Sequence, residues 1–334
     1  LILLEKILIG FANQWSWSLP ACWHGYRFIR QHPDCVLYSS GGSWSAHLAG
    51  YWLKQLTGVT WLAEIHDPLV EPGVTLSSRE LRMRAKIEAY ISEASDLAWW
   101  FTPEALASAK KRHPHLGDRG CWVLAGSNPP KPMTHYHVRD TLNFAYFGSL
   151  SPTRSLMPFL KACLMVGERH ANFLKDVRIH CYGNDLDSLS QATVAGHPLA
   201  QHITQHGRLD RSHPMSQGRG SREQSLDQMH TADVLILNHG QHLGCAEYIP
   251  SKLFDYFWSA RPILGMTYLN LLLDQLLRER GHWVCEEADI SGIAAHIEAI
   301  WQAWQANGLP SKNNLEQVIT TQQAAQLIID TVQS

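Results

Sequence analysis

No pair of cysteines in this 334-residue chain takes a CxxC spacing, and the seven present (22, 35, 121, 163, 181, 245, 285) are odd in number and scattered. A disulfide framework or a cysteine zinc site is therefore excluded. The thiols read as small apolar residues of a reducing compartment, so the chain is expected to be cytoplasmic. Charge is also scarce: 17% of residues are charged and the formal net charge is -2. No general polyanion-binding surface follows from that balance, and nucleic acid is not an expected partner. Long hydrophobic runs are missing as well. The opening LILLEKILIGF is broken by Glu5 and Lys6, is too short to span a bilayer and has no cleavage site. It reads as a strand or an interfacial segment.

Several catalytic signatures are absent too. GxGxxG, the GxSxG nucleophile elbow and HExxH do not occur, and GRGSR (218 to 222) lacks the Gly-Lys-Ser/Thr ending of a phosphate loop. Asp185-Leu-Asp187 has the form of a DxD metal motif but opens the helical run SLSQATVAG, where aspartates are ordinary N-terminal caps. No metal is expected. His202 and His206 would share a face only on a helix, and their segment reads as a strand.

What is present is α/β grammar at a length suited to two domains of roughly 150 residues each. Residues 14 to 33 read as a Trp-rich loop and then a helix. A strand from Asp34 runs through Gly41-Gly42-Ser43 into a helix over 45 to 57, stopped by Gly58. The next strand, 59 to 65, ends at His66-Asp67-Pro68. A charged helix (78 to 98), a strand (99 to 101), a helix from Thr102 and a strand from Cys121 follow. The stretch from Pro129 through Arg139 is Pro-rich and polar, and a linker is read at 131 to 142. It separates a domain over 1 to 130 from a second over 143 to 306, with a last helix in 307 to 334. KKRHPH (110 to 115) could touch anionic headgroups at a membrane surface, although a solvated helix end accounts for it as well.

The second domain opens with a strand, NFAYFGSL, reaching Gly148; Arg154 then falls in the first turn of the next helix. Strands are expected over 177 to 183 and from 203 to 207. The densest stretch is 232 to 266, ADVLILNHGQHLGCAEYIPSKLFDYFWSARPILGM, read as strand, loop, helix, turn, strand. VLIL is short and continuously apolar, as in a strand buried on both faces. Ser251 after Pro250 reads as an N-cap of a helix from Lys252 to Ser259. Such a unit delivers a loop and a helix N-terminus to the carboxyl edge of a parallel sheet, where α/β proteins bind phosphates. Glu247, Lys252 and Asp255 lie there in a spaced set. Paired carboxylates suit ribose and hexose hydroxyls, and a cation suits a diphosphate. Three apolar helices, near 269 to 280, 289 to 306 and 313 to 332, close the chain.

The Glu247-x7-Asp255 spacing and the PSKLFDYFWSARPIL wording resemble the glutamate-x7-glutamate motif of retaining GT-B glycosyltransferases, especially the PSKLFEY-type branch of family 4. The second carboxylate here is Asp. YSSGGSWSAHLAGYWLKQLTGVTWLAEIHDPL and FAYFGSLSPTRSL are similar to that family's acceptor-side and donor-side segments. The resemblance covers about residues 34 to 305 and implies two Rossmann-like parallel-sheet domains facing a cleft. Measured against the family, the first domain reads as shortened.

The implied activity is transfer of a sugar, with retention, from a nucleotide-diphosphate donor to a hydroxyl on a glycan or lipid-linked acceptor. No cofactor and no metal are implied. His66 would orient donor or acceptor and Glu247 would hold donor sugar hydroxyls. Asp255 would take the ribose. Gly148, Arg154, Ser251 and Lys252 would line the diphosphate, with Ser149 standing where a second basic residue is usual. Two alternatives stay open: an epimerase or hydrolase acting on the same donor, and a non-catalytic partner protein.

Overall fold

The computed structural model describes residues 15–41, 43–73, 75, 78–130, 136, 139–216, 218–310 and 318–333. The opening apolar segment, Gly42, much of the linker read at 131 to 142 and the first residues of the helix read from 313 lie outside the described residues. The described residues of Leu1–Ala125, Ala246–Ile249 and Ala324–Ser334 form one compact unit; those of Gly126–Cys245 and Pro250–Gln323 form the other.

The first unit is built on a four-stranded parallel sheet in the order β1 (Val36–Ser40), β2 (Thr60–Ile65), β3 (Leu97–Trp100), β4 (Gly120–Trp122). Helices Trp44–Thr57, Arg79–Ala94 and Pro103–Arg112 make the crossovers. Ser78 and Thr102 cap the last two by accepting from Leu81 N–H and Ala105 N–H. The core gathers Trp61, Ile65, Ile87, Ile91, Trp100 and Leu116, all buried. Inter-strand spacing is pinned by Asp96, whose carboxylate accepts from the Trp61 N–H (2.7 Å) and from Lys54 (2.7 Å). The first described element is a helix, Trp15–Gln31, that starts inside the stretch read as a Trp-rich loop and carries Pro20 within it.

The second unit is a six-stranded parallel sheet: β5 (Leu142–Gly148), β6 (Val177–Gly183), β7 (Ile203–Gly207), β8 (Val234–Asn238), β9 (Ile263–Thr267) and β10 (Trp283–Glu286). Its spatial order is β7-β6-β5-β8-β9-β10. Counted along the unit this is 3-2-1-4-5-6, the doubly wound order of dinucleotide-binding domains. β8 and β9 are buried at every position, as continuous apolar strings in a covered parallel sheet should be. Helices Met157–Arg169 and Ile290–Gln305 pack on the sheet through Phe159, Cys163, Val166, Ile293, Ile297 and Ile300. Asp233, just ahead of β8, accepts from the backbone and side-chain amides of Asn143 (2.7 and 3.0 Å), tying β8 to β5.

Several short or weakly patterned elements escaped the sequence reading, and two of them bear on the site. β10 is a four-residue strand between charged neighbours, and helix Ser221–Thr231 (SREQSLDQMHT) has no apolar stripe to announce it.

Candidate functional site

In a doubly wound sheet the crossovers leave in opposite directions on either side of one point, and a crevice opens there at the carboxyl ends of the strands. In the second unit that point lies between β5 and β8. β5 ends at Gly148, and β8 ends at Asn238, followed by His239 and Gly240. Where β5 and β6 finish side by side, Gly183 has φ 149°, and a Cβ on it would lie 2.1 Å from the Gly148 carbonyl oxygen. Only glycine fits so close an approach.

The turn after β5 is held at several points. Asn184 Oδ1 accepts from Leu150 N–H (2.6 Å), and the same amide donates back to Leu150 O (2.9 Å). Ser151 and Arg154 exchange backbone hydrogen bonds. Arg154 therefore sits in this turn, ahead of the helix that begins at Met157, and not in its first turn as expected. Its Nε reaches toward His239 O at 3.4 Å. Asn238 Nδ2 donates to Ser155 O (2.8 Å), binding the two edges of the crevice to each other.

Lys252 is the first residue of helix Lys252–Trp258. Its Nζ donates to Phe147 O (2.7 Å) and lies 4.4 Å from the centre of the Tyr146 ring. An ideal Cβ on Gly148 would come within 3.2 Å of that nitrogen, so Gly148 leaves the space that the ammonium fills. Tyr256, one turn on, accepts from Phe147 N–H (3.3 Å) and donates to Ile236 O (3.2 Å), which fixes the helix to both switch-point strands. Burial, with Arg154 adding repulsion, pushes the Lys252 ammonium down to about 7. An anion beside the ammonium would counter both effects by favouring its charged form.

The helix does not start as expected. Ser251 takes a helical conformation and makes no side-chain cap, because Leu253 N–H is already satisfied by Pro250 O (2.9 Å). Asp255 forms an ion pair with Arg222 (2.7 Å), whose guanidinium also donates to Asn128 O. Arg222 comes from the helix that the sequence reading missed.

A second carboxylate was missed as well. Glu287, the residue after β10, is 1% exposed and accepts from the Gly240 N–H. Burial lifts its carboxyl to about 7 even though that bond and Arg154 both pull it down. The only signal was the acidic cluster EEAD, which means little until the strand before it is recognised.

Glu247 belongs to the first unit. Its carbonyl accepts from Thr102 Oγ1 (2.6 Å) and its carboxylate from the Ser108 hydroxyl, so helix Pro103–Arg112 holds it. Burial raises its pKa. The spaced pair of the sequence is thus divided: Glu247 with the first unit, Asp255 and Lys252 with the second. His66, past the end of β2, stacks on Phe101 (5.1 Å) and lies 3.0 Å from Ser40 Oγ and 3.4 Å from Glu64. The hydrogen bond to Glu64 raises its pKa against the opposing effect of burial.

Of the basic run 110 to 115, Arg112 and His113 turn inward onto the buried Glu88 (2.6 and 3.2 Å). Asp187 caps helix Ser188–Val194 by accepting from Leu189 and Ser190 N–H. Among the described residues no helix is long and apolar enough to cross a membrane.

No protein-family model matches the chain, and no curated protein gives a significant match. Solved structures do. TarM superposes with a TM-score of 0.67 at 10% identity, over 92% of this chain and 57% of TarM. Anabaena HepE, solved in complex with UDP, gives 0.64 at 10% identity, covering 94% of this chain and 82% of HepE. The lipopolysaccharide outer core galactosyltransferase WaaB gives 0.58 at 11% identity, over 94% of this chain and 79% of WaaB. The fold is GT-B. This chain spans a little over half the length of TarM, and at such identities the likeness to these GT-B glycosyltransferases speaks for the fold alone.

Proposed function

We propose that this protein is a retaining glycosyltransferase of the family-4 kind, moving a hexose from a nucleotide-diphosphate donor to a hydroxyl of a glycan or lipid-linked acceptor at the cytoplasmic side. The observation that carries the reading is the convergence of Lys252 and Arg154 on the switch-point crevice of the second unit, beside Gly148. Two cations at that edge match a diphosphate in charge and position. In this reading they stabilise the negative charge that develops on the leaving diphosphate, the part a metal plays elsewhere, and none is required.

Asp255 takes the ribose hydroxyls, its carboxylate oriented by Arg222. Ser251 lies exposed beside Lys252, at the mouth of the same subsite. Glu247 accepts from donor sugar hydroxyls; its raised pKa fits a carboxyl that exchanges hydrogen-bond partners when a sugar arrives. His66 orients donor or acceptor from the edge of the first sheet. The UDP in the HepE structure and the likeness to the galactosyltransferase WaaB support a nucleotide-sugar donor.

The test is nucleoside diphosphate release from a panel of nucleotide sugars, with and without a mixture of hydroxyl acceptors. Acceptor-dependent release that collapses in Glu247→Ala supports transfer. Release or sugar inversion that ignores the acceptor assigns hydrolysis or epimerisation instead. Turnover unchanged in both Glu247→Ala and Lys252→Ala removes the site assignment.

A further inference from the structure

Glu287 is a carboxyl group that the transfer chemistry above does not use, yet it sits at the carboxyl edge of the same sheet. It is 1% exposed, and its Oε2 has no hydrogen-bond partner among the described residues. A buried acid with one oxygen unpaired costs free energy that an apolar residue there would not. Its other contacts are specific. The backbone N–H of Glu287 donates to Thr267 O (2.9 Å), which fixes its position at the end of β9, and its carboxylate accepts from the Gly240 N–H.

Gly240 is the centre of the turn that follows β8. It has φ 103°, and a Cβ on it would lie 2.9 Å from Thr153 O and 3.7 Å from Arg154 Nε. On either side, Gln241 N–H donates to Thr153 O (2.7 Å) and Arg154 Nε points at His239 O (3.4 Å). The 239–241 turn and the 153–154 turn are therefore held together by one backbone bond and by the Arg154 side chain. The Glu287 carboxylate holds the first of these turns through the Gly240 N–H, within range of the Arg154 charge.

We propose that Glu287 is a positioning residue: by holding the Gly240 N–H it fixes the turn against which Arg154 is braced, and so sets the guanidinium for the distal phosphate of a nucleoside diphosphate. The inference rests on the nucleotide-sugar reading given above. It goes beyond it by assigning the diphosphate geometry to a residue that need not touch the ligand. Glutamine at 287 keeps an oxygen to accept from Gly240; leucine keeps bulk but no acceptor.

The test is calorimetric titration of UDP and UMP into the unmodified protein and into Glu287→Gln, Glu287→Leu, Arg154→Ala and the Glu287→Leu/Arg154→Ala double variant, each checked for folding by circular dichroism. The expected result is a loss of about tenfold or more in UDP affinity for Glu287→Leu, with UMP changed less than about threefold and Glu287→Gln close to the unmodified protein. In the Arg154→Ala background the Glu287→Leu loss should shrink below about twofold, since neighbours acting through one contact do not add. Should Glu287→Leu fail to fold, Gly240→Ala disturbs the same turn and should show the same selective loss of UDP over UMP. Equal losses for UDP and UMP, an undiminished loss without Arg154, or no loss at all would overturn the assignment. If the unmodified protein binds neither nucleotide, the donor reading itself falls, and the role of Glu287 with it.

Discussion

The lowered pKa of Lys252 makes the affinity for a nucleoside diphosphate depend on pH in a defined direction. In the free protein, burial and Arg154 hold the amine at about 7. Above that value most molecules carry a neutral amine and must take up a proton before the ammonium can pair with a phosphate. At pH 7 roughly half the amines are charged and at pH 8.5 only a few per cent, so UDP affinity should fall roughly tenfold or more between the two. UDP binding at pH 8 should also be accompanied by net proton uptake, readable as a dependence of the calorimetric enthalpy on buffer. In Lys252→Met the stem is kept and the amine is lost. The affinity should then be weaker by about 1.5–3 kcal/mol at pH 7, the worth of a charge-assisted hydrogen bond, and flat across the same pH range. The sign for stability is opposite to that for binding. The unfolded chain binds the Lys252 proton up to about pH 10.5 while the folded chain releases it near 7, so stability rises with pH across that window. That rise should be smaller in Lys252→Met. An affinity independent of pH in the unmodified protein, or the same slope in the variant, would refute the reasoning.

Three further outcomes follow from the geometry. Gly183→Ala places a methyl against the Gly148 carbonyl at a φ that alanine rarely adopts, and should cost about 2 kcal/mol or more, lowering Tm by several degrees. Glu88→Ala strands Arg112 and His113 around a buried site and should destabilise by about 3–5 kcal/mol in denaturant titration; an effect under about 1 kcal/mol would mean the pair is not buried in solution. Asp255→Ala should weaken UDP by about 1–2 kcal/mol while leaving inorganic pyrophosphate affinity unchanged, because its proposed partner is the ribose; a parallel loss of pyrophosphate would place it at the phosphates.

Much of the fold was legible because the parallel sheets are written in short, saturated apolar strings. VLIL and ILGM, each flanked by turn residues, could hardly be anything but buried strands, and both are buried throughout. Gly58 ends its helix in the left-handed conformation, as its place after Thr57 suggested. The failures have physical reasons. WVCE is too short to show alternation, and SREQSLDQMHT packs only Gln224, Leu226 and Met229 inward. Pattern reading does not see such elements until their neighbours are placed. Ser251 has the right residue type for a cap, but its backbone is already helical, and cap chemistry needs an extended one.

The site was legible where one continuous segment delivers it. Lys252 and Asp255 were visible on the strand-loop-helix unit; Arg154 was expected in the first turn of a helix and lies instead in the turn ahead of Met157–Arg169. Glu287 and Arg222 were not visible, because their relation to that unit is made by β10 and by helix Ser221–Thr231. The grouping of Glu247 with the first unit was equally hidden, since spacing along the chain says nothing of the hydroxyls of Thr102 and Ser108 that hold it.

The central claim is that a nucleoside diphosphate binds at the carboxyl edge of the second sheet, where β5 and β8 part. Hydrogen–deuterium exchange with and without saturating UDP, in metal-free buffer, tests it most directly. The account predicts slower exchange in peptides spanning 148 to 154, 239 to 241 and 252 to 256, and clearly less of that protection in Lys252→Met at the same UDP concentration. Protection confined to other segments, or UDP binding that leaves these three unchanged, would contradict it.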